Sequence, residues 1–242
     1  MVKWLDDLRT QFILSFIKDN RWQYLTDGVL MTLQVTFFAL LIGIAIGIVV
    51  AIVRSAYDKT REGAQRGALN FIFGFFNAIC KIYLTVIRGT PVVVQLFIYY
   101  LIIFKSSRNA VLVAVITFGI NSGAYVAEIF RSGIMSIDNG QFEAGRCLGF
   151  NYVQTMWYIV MPQAFKNVLP ALANEFIVLL KETSVMGYVA LMDLTKGAYI
   201  IIGRTYKPFM PLIAVALIYL VMVIFFSWLV GKLERRLRSS ER

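Results

Sequence analysis

Three runs free of charged residues constrain this chain more than any other feature. Gly28–Val53 is 26 residues, Asn109–Ala127 is 19 and Phe209–Gly231 is 23. A helix rises about 1.5 Å per residue, so about 20 residues cross a hydrocarbon core of roughly 30 Å. The first run is long enough to tilt or protrude. With 59% hydrophobic residues over 242 positions, the chain is far more apolar than a soluble domain. The reading is an all-α integral membrane protein.

A net charge of +10 would suggest nucleic acid in a soluble protein. Beside apolar spans, basic residues instead set topology and meet anionic lipid heads, so no nucleic-acid partner is expected. The two cysteines, Cys80 in a span and Cys147 in a polar loop, imply no disulfide framework. Without histidine or a CxxC pair there is little to hold a transition metal. Residues 1–24 are no secretory signal, because Asp6, Asp7 and Asp19 interrupt any apolar core. Trp4, Leu5, Leu8, Phe12, Phe16 and Ile17 fall near one side of a helix, which reads as an amphipathic segment in the membrane interface.

Five crossings follow, within a transmembrane domain spanning residues 25–231. The first is about Leu25–Val53, followed by a charged turn holding Arg54, Lys59, Arg61 and Arg66. The second, about Leu69–Phe104, is too long for one straight helix. It contains Arg88 and the breaker Gly89-Thr90-Pro91, where proline removes a donor and disfavours helix in the residue before it. The third is about Asn109–Arg131, the fourth runs from near Pro170 to Ala190, and a short amphipathic piece, Val189–Ile202, precedes the last at Phe209–Gly231. The tail, residues 232–242, is basic. A cytoplasmic tail puts twelve Lys/Arg inside: four in the first turn, three from Arg131 to Lys166 and five in the tail. Nine fall outside. The expected topology is N-terminus out, C-terminus cytoplasmic.

Between the third and fourth crossings lies a polar, glycine-punctuated segment, about residues 136–166, that no bilayer would accept. Asp138 can cap a first helix, about Gly140–Leu148, and Gly149 sits where a left-handed C-terminal residue is needed. Asn151 can cap a second, about Tyr152–Val160, ending before Pro162. Tyr152, Met156, Trp157 and Ile159 are expected to dock on the membrane domain, with Phe142, Glu143 and Arg146 facing the cytosol. The plain alternative is an ordinary linking or re-entrant loop, although caps and glycine stops are not linker composition.

Charges inside spans cost at least about 2.5–3.5 kcal/mol and usually face a polar interior. Asn121, Tyr125 and Glu128 form one helical stripe, Glu175 and Glu182 share a face, and Arg88 and Gln95 share another if the helix survives Pro91. Two readings stay open for Glu128 and Glu182: lining a solute path, or pairing with Arg88, Lys181 or another cation to hold the bundle. Arg88, Thr90, Pro91 and Gln95 form a group that is structural or lines the path, and Arg88 itself is read as structural.

The segment Glu143-Ala144-Gly145, three residues, Gly149, nine residues, Ile159-Val160-Met161-Pro162 resembles the EAA loop of ABC importer permeases. Gly145 stands where the family has alanine and Met161 where it has leucine, and Gly145 is expected to loosen its helix by about 1 kcal/mol. Arg88-Gly89-Thr90-Pro91, Ser122–Ile129, Arg131–Ile134, Pro162-Gln163-Ala164 and Leu180–Ser184 resemble the polar amino acid branch in its order, from Gly28 to the C-terminus. The resemblance implies a type I importer fold of about five helices and a pair of permeases, either two copies or a sister subunit. It implies a dimeric cytoplasmic ABC ATPase that uses ATP and Mg, an extracytoplasmic binding protein and a polar amino acid substrate. It assigns partner docking to Gln141, Phe142, Glu143, Ala144, Gly145, Arg146 and Gly149. Substrate-path candidates are Asn121, Tyr125, Glu128, Lys181, Glu182, Thr183 and Ser184. No cofactor or catalytic residue is expected in this chain, whose only Gly-Lys pair, Gly231-Lys232, precedes leucine and makes no phosphate loop. An ion-coupled secondary transporter using buried carboxylates is the competing class. A channel or scaffold would leave the capped loop unexplained.

Overall fold

The computed structural model describes residues 2–62 and 68–239, and the side chains of Trp4, Leu5, Lys59, Arg61, Arg66, Arg238 and Arg242 lie outside the described set. Among the described residues every regular element is helical. Among the same described residues, four helices are long and apolar enough to cross a membrane: Gln23–Ser55, Phe71–Gly89, Ala110–Met135 and Phe209–Leu237. A bent pair, Tyr152–Val189 with Leu194–Thr205 at 45°, makes a fifth when taken as one span. The elements are α1 (Val2–Phe12), α2 (Gln23–Glu62), α3 (Ala68–Gly89), α4 (Val92–Ile98) and α5 (Ala110–Met135), then α6 (Asn139–Cys147), α7 (Tyr152–Thr155), α8 (Met161–Glu182), α9 (Leu194–Thr205) and α10 (Phe209–Ser239).

The chain divides into two compact units. The first comprises Met1–Ala39, Val92–Phe118 and Ile177–Trp228. Its core gathers Phe16, Leu25, Leu194, Ala198, Ile201 and Val215. The N-terminal segment is therefore more than an interfacial helix. After α1 the chain passes through a π turn, Ile13–Ile17, that buries Phe16 while Phe12 and Ile17 stay exposed. Arg21, also buried, donates to the Leu14 carbonyl and to the Asp19 carboxylate, both at 2.8 Å, so its charge is not left unpaired. The short piece expected at Val189–Ile202 begins later, at Leu194. Ala190 takes a left-handed conformation that ends the preceding helix, and the buried Asp193 carboxylate accepts the Lys196 N–H at 2.8 Å.

The second unit comprises Leu40–Pro91, Gly119–Phe176 and Leu229–Arg242. Its organising contact is between α2 and α5, where Gly43 and Gly47 make a small-xxx-small face. A methyl group at Gly43 would lie 2.9 Å from Ser122 Oγ, and one at Gly47 2.5 Å from Val126 Cγ1. Lipid is as apolar as leucine, so helices associate in it by such close packing. Val126, Phe130 and Ala51 then join Val168 and Leu172 of α8 in one cluster. Ser122 Oγ donates to buried Glu175 Oε1 at 2.9 Å, tying α5 to α8.

Two prolines behave differently from expectation. α3 does stop at Gly89, where the Thr90 hydroxyl donates to the Val86 carbonyl at 2.8 Å before Pro91. The helix of the fourth crossing, however, does not start near Pro170. Helical structure runs from Tyr152 to Val189 with Pro162 and Pro170 inside it. A π turn, Met156–Val160, precedes Pro162, and the Met161 N–H reaches back five residues to the Met156 carbonyl. That wider turn carries the helix past a residue with no N–H to give. Pro170 leaves the Lys166 carbonyl without its helical donor, while its neighbours Val168 and Leu172 are buried in the cluster with α2 and α5.

Gly47→Leu is expected to push α2 off α5 and lower stability by about 1–3 kcal/mol, read as a lower midpoint of thermal unfolding in detergent. Gly231→Leu, where an added methyl would meet nothing within 4 Å beyond its own helix backbone, serves as the control and does not lower the midpoint.

Candidate functional site

The polar segment after α5 folds into a tight hairpin. Asp138 accepts the Gly140 N–H at 2.7 Å and starts α6. At its end the Phe150 N–H bonds the Gly145 carbonyl at 3.0 Å and the Gly149 N–H bonds the Arg146 carbonyl at 2.9 Å. Gly149 has φ +81°, the left-handed turn residue that this double bond pattern requires. α7 then opens with a reciprocal capping box. Asn151 Oδ1 accepts the Gln154 N–H, and Gln154 Oε1 accepts the Asn151 N–H, both at 2.9 Å.

The two arms touch at Gly145, which is buried against Thr155, where an added methyl would lie 2.5 Å from Thr155 Cγ2. Glycine here admits the second arm, a tertiary role that outweighs the helix-loosening expected of it. Phe142 turns inward rather than to solvent. Its ring stacks on Tyr152 at 6.0 Å between centroids, and with Met156 it packs on Ile137, Val160 and Ala164. Gln163 Nε2 donates to Gln141 Oε1 at 3.1 Å, and Asn167 Nδ2 to Ser136 Oγ at 2.9 Å, so the hairpin is fixed to the start of α8.

Glu143, Ala144 and Arg146 are exposed. Leu148, Val153, Trp157 and Tyr158 are each about two thirds exposed, so Trp157 does not dock on this chain as expected of it. The hairpin thus presents a rigid face of mixed charge and large apolar side chains, a composition that suits a partner protein.

The intramembrane stripe on α5 splits. Asn121 is buried, while Tyr125 and Glu128 line an open cleft of about 670 Å³. Glu128 Oε2 lies 3.7 Å from Arg88 Nη1 and 3.9 Å from Arg54 Nη1, and the Arg88 guanidinium stands over the Tyr125 ring at 5.6 Å. These pairs are long and their carboxylate is 42% exposed, so each contributes at most about 1 kcal/mol. Glu128 thus both pairs with Arg88 and faces the cleft. Gln95 is buried on α4, and Thr90 and Pro91 sit exposed at the helix break.

In the first unit the candidates after Leu180 separate. Thr183 is buried, with its hydroxyl donating to the Leu180 carbonyl at 2.9 Å and lying 3.4 Å from the Thr36 hydroxyl. Lys181 is exposed and Glu182 half-buried. Ser184 lines a cavity of about 560 Å³ together with Tyr188, Thr195, Lys196 and Tyr199. Sequence reasoning missed the last four. The available signal was Asp193, whose capping position places Thr195 and Lys196 in the first turn of α9.

Gly145→Ala is expected to disturb the hairpin by about 1–3 kcal/mol through its clash with Thr155. Adding Thr155→Ala restores it. Protease sensitivity of the 139–160 segment checks this, and equal protection in single and double variants contradicts it.

Residues 66–239 match the family described as binding-protein-dependent transport system inner membrane component. A putative glutamine transport system permease protein GlnP of Rickettsia bellii is 34% identical over 217 residues, covering 88% of this chain and 93% of that protein. The arginine transport system permease protein ArtQ of Bacillus subtilis is 35% identical over 223 residues, covering 90% and 94%. Among solved structures, a chain of an amino acid ABC transporter crystallised with histidines is 41% identical with TM-score 0.78, covering 88% of this chain and 94% of that one. A chain of the MetNI methionine ABC transporter, 18% identical with TM-score 0.74, shares the fold over 91% and 99%. The chain belongs to the family of binding-protein-dependent transport inner membrane components.

Proposed function

We propose that this chain is the membrane-spanning permease subunit of an ATP-driven importer of polar amino acids. It forms the translocation path and takes its driving force from a separate cytoplasmic ATPase. The observation that carries the reading is the hairpin Asn139–Thr155, stopped at Gly149 and boxed at Asn151, with Glu143 and Arg146 presented to a partner. A mobile linker would dissipate a push, and a doubly capped hairpin fixed to α8 transmits one. Family membership and the names of the glutamine and arginine relatives support the amino acid class.

In this reading the hairpin and basic tail are cytoplasmic and the N-terminus lies outside, in accord with the cluster of five Lys/Arg after Gly231. ATP and Mg act in the partner. A second permease, identical or sister, completes the pore, and an external binding protein delivers solute. Gln141, Phe142 and Gly145 serve the hairpin from within, while Glu143, Ala144 and Arg146 meet the ATPase directly. The cavity beside Ser184 supplies hydroxyls, aromatic rings and one ammonium, Lys196, groups suited to a zwitterion.

Glu143→Ala is expected to leave membrane insertion and thermal midpoint unchanged while lowering ATP-driven uptake in vesicles about fivefold or more, the scale of one interface residue worth over 1 kcal/mol. Uptake equal to the parent, with the ATPase still bound, would contradict the coupling role.

A further inference from the structure

The cleft around Glu128 holds more cations than its carboxylate engages. Arg54, Lys81, Arg88 and Arg131 line it against that single acid. Arg54 and Arg88 reach the carboxylate, whereas Lys81 and Arg131 form no ion pair among the described residues. A concave site with this surplus attracts an anion.

Its position and its border say which anion. Arg54 stands one residue before the end of the apolar span Gln23–Ser55, and Arg131 four before the end of Ala110–Met135. Long basic side chains at span ends carry their charge to headgroup level, as for Arg54 and Arg131, and Lys81, mid-span on α3, lines the same cleft from within the span. On α3, beside the lining residues Lys81 and Thr85, the apolar side chains Ile79, Ile82 and Val86 are exposed. A free inorganic anion has no use for such a ladder. An amphiphile uses both surfaces, with its phosphate in the cleft and an acyl chain along the helix.

We infer that the cleft is a specific site for the headgroup phosphate of an anionic phospholipid, engaged by Lys81 and Arg131 while Arg54 and Arg88 remain on Glu128. Basic pockets between transmembrane helices recognise such headgroups through the same chemistry. The lipid is a structural ligand of the second unit, bridging α3 to α5.

The full-length permease in nanodiscs of equal phosphatidylglycerol and phosphatidylcholine supplies the test, with retained lipid quantified by mass spectrometry after extraction into detergent. The expected result is enrichment of phosphatidylglycerol that falls about tenfold in K81Q/R131Q. It persists in K81R/R131K and in K105Q/K207Q, which removes two exposed lysines elsewhere. Equal enrichment in K81Q/R131Q and parent overturns the site, as does loss of enrichment in K81R/R131K. Displacement of the lipid by excess inorganic phosphate also overturns it, marking the cleft as a small-anion site. Retention is read without transport, so its failure leaves the importer reading untouched.

Discussion

The contact of α2 with α5 through Gly43 and Gly47 is what the second unit depends on. In lipid there is no hydrophobic drive between apolar helices, so association rests on how closely two backbones approach. Glycine at both positions lets Ser122 and Val126 enter the α2 face. Once the helices touch, Arg54 comes within reach of Glu128, and Ser122 remains free to reach Glu175 on α8. α5 then leads to Asp138, the cap that starts the hairpin. Packing, charge placement and the polar appendage thus follow from one seam of small residues.

The hairpin shows how local chemistry produces a rigid element without a large core. Its two arms bury little, yet each end is closed by backbone or side-chain hydrogen bonds. The arms meet at a glycine that admits a threonine. Phe142 and Met156 anchor the base on Ile137 and Val160. What remains outward is Glu143, Arg146, Leu148 and Trp157, a surface whose apolar part has no partner within the described chain. The same logic separates Glu128 of α5 from Glu175 of α8. Glu175 is buried and hydrogen-bonded, while Glu128 sits in an open cleft among cations.

What was legible in the residues was mostly local. Asp138, Gly149 and Asn151 each act through neighbours within a few positions, and the structure has each where its chemistry requires. The break at Thr90-Pro91 was equally plain. The misreadings concern contacts set by distant parts of the chain. Pro162 and Pro170 looked like helix ends, but a π turn and a buried cluster carry the helix through both. Phe142 looked like a surface residue because its partners, Val160 and Ala164, lie about twenty positions away. Gly145 was weighed by helix propensity, whereas its neighbour Thr155 decides its role. The Gly43/Gly47 spacing lies inside a long apolar run, where only the partner helix reveals its role.

If the hairpin is the surface through which another chain's ATP cycle acts, native Cys147, exposed on its first arm, is a direct reporter. With Cys80→Ser to leave one thiol, a short thiol-directed photocrosslinker on Cys147 is activated in membranes containing the whole assembly. Capture of the ATPase subunit, with a yield that changes between nucleotide-free and ATP-bound states, is the predicted result. No capture from Cys147, alongside efficient capture from a cysteine placed at exposed Tyr199 in the first unit, would contradict it.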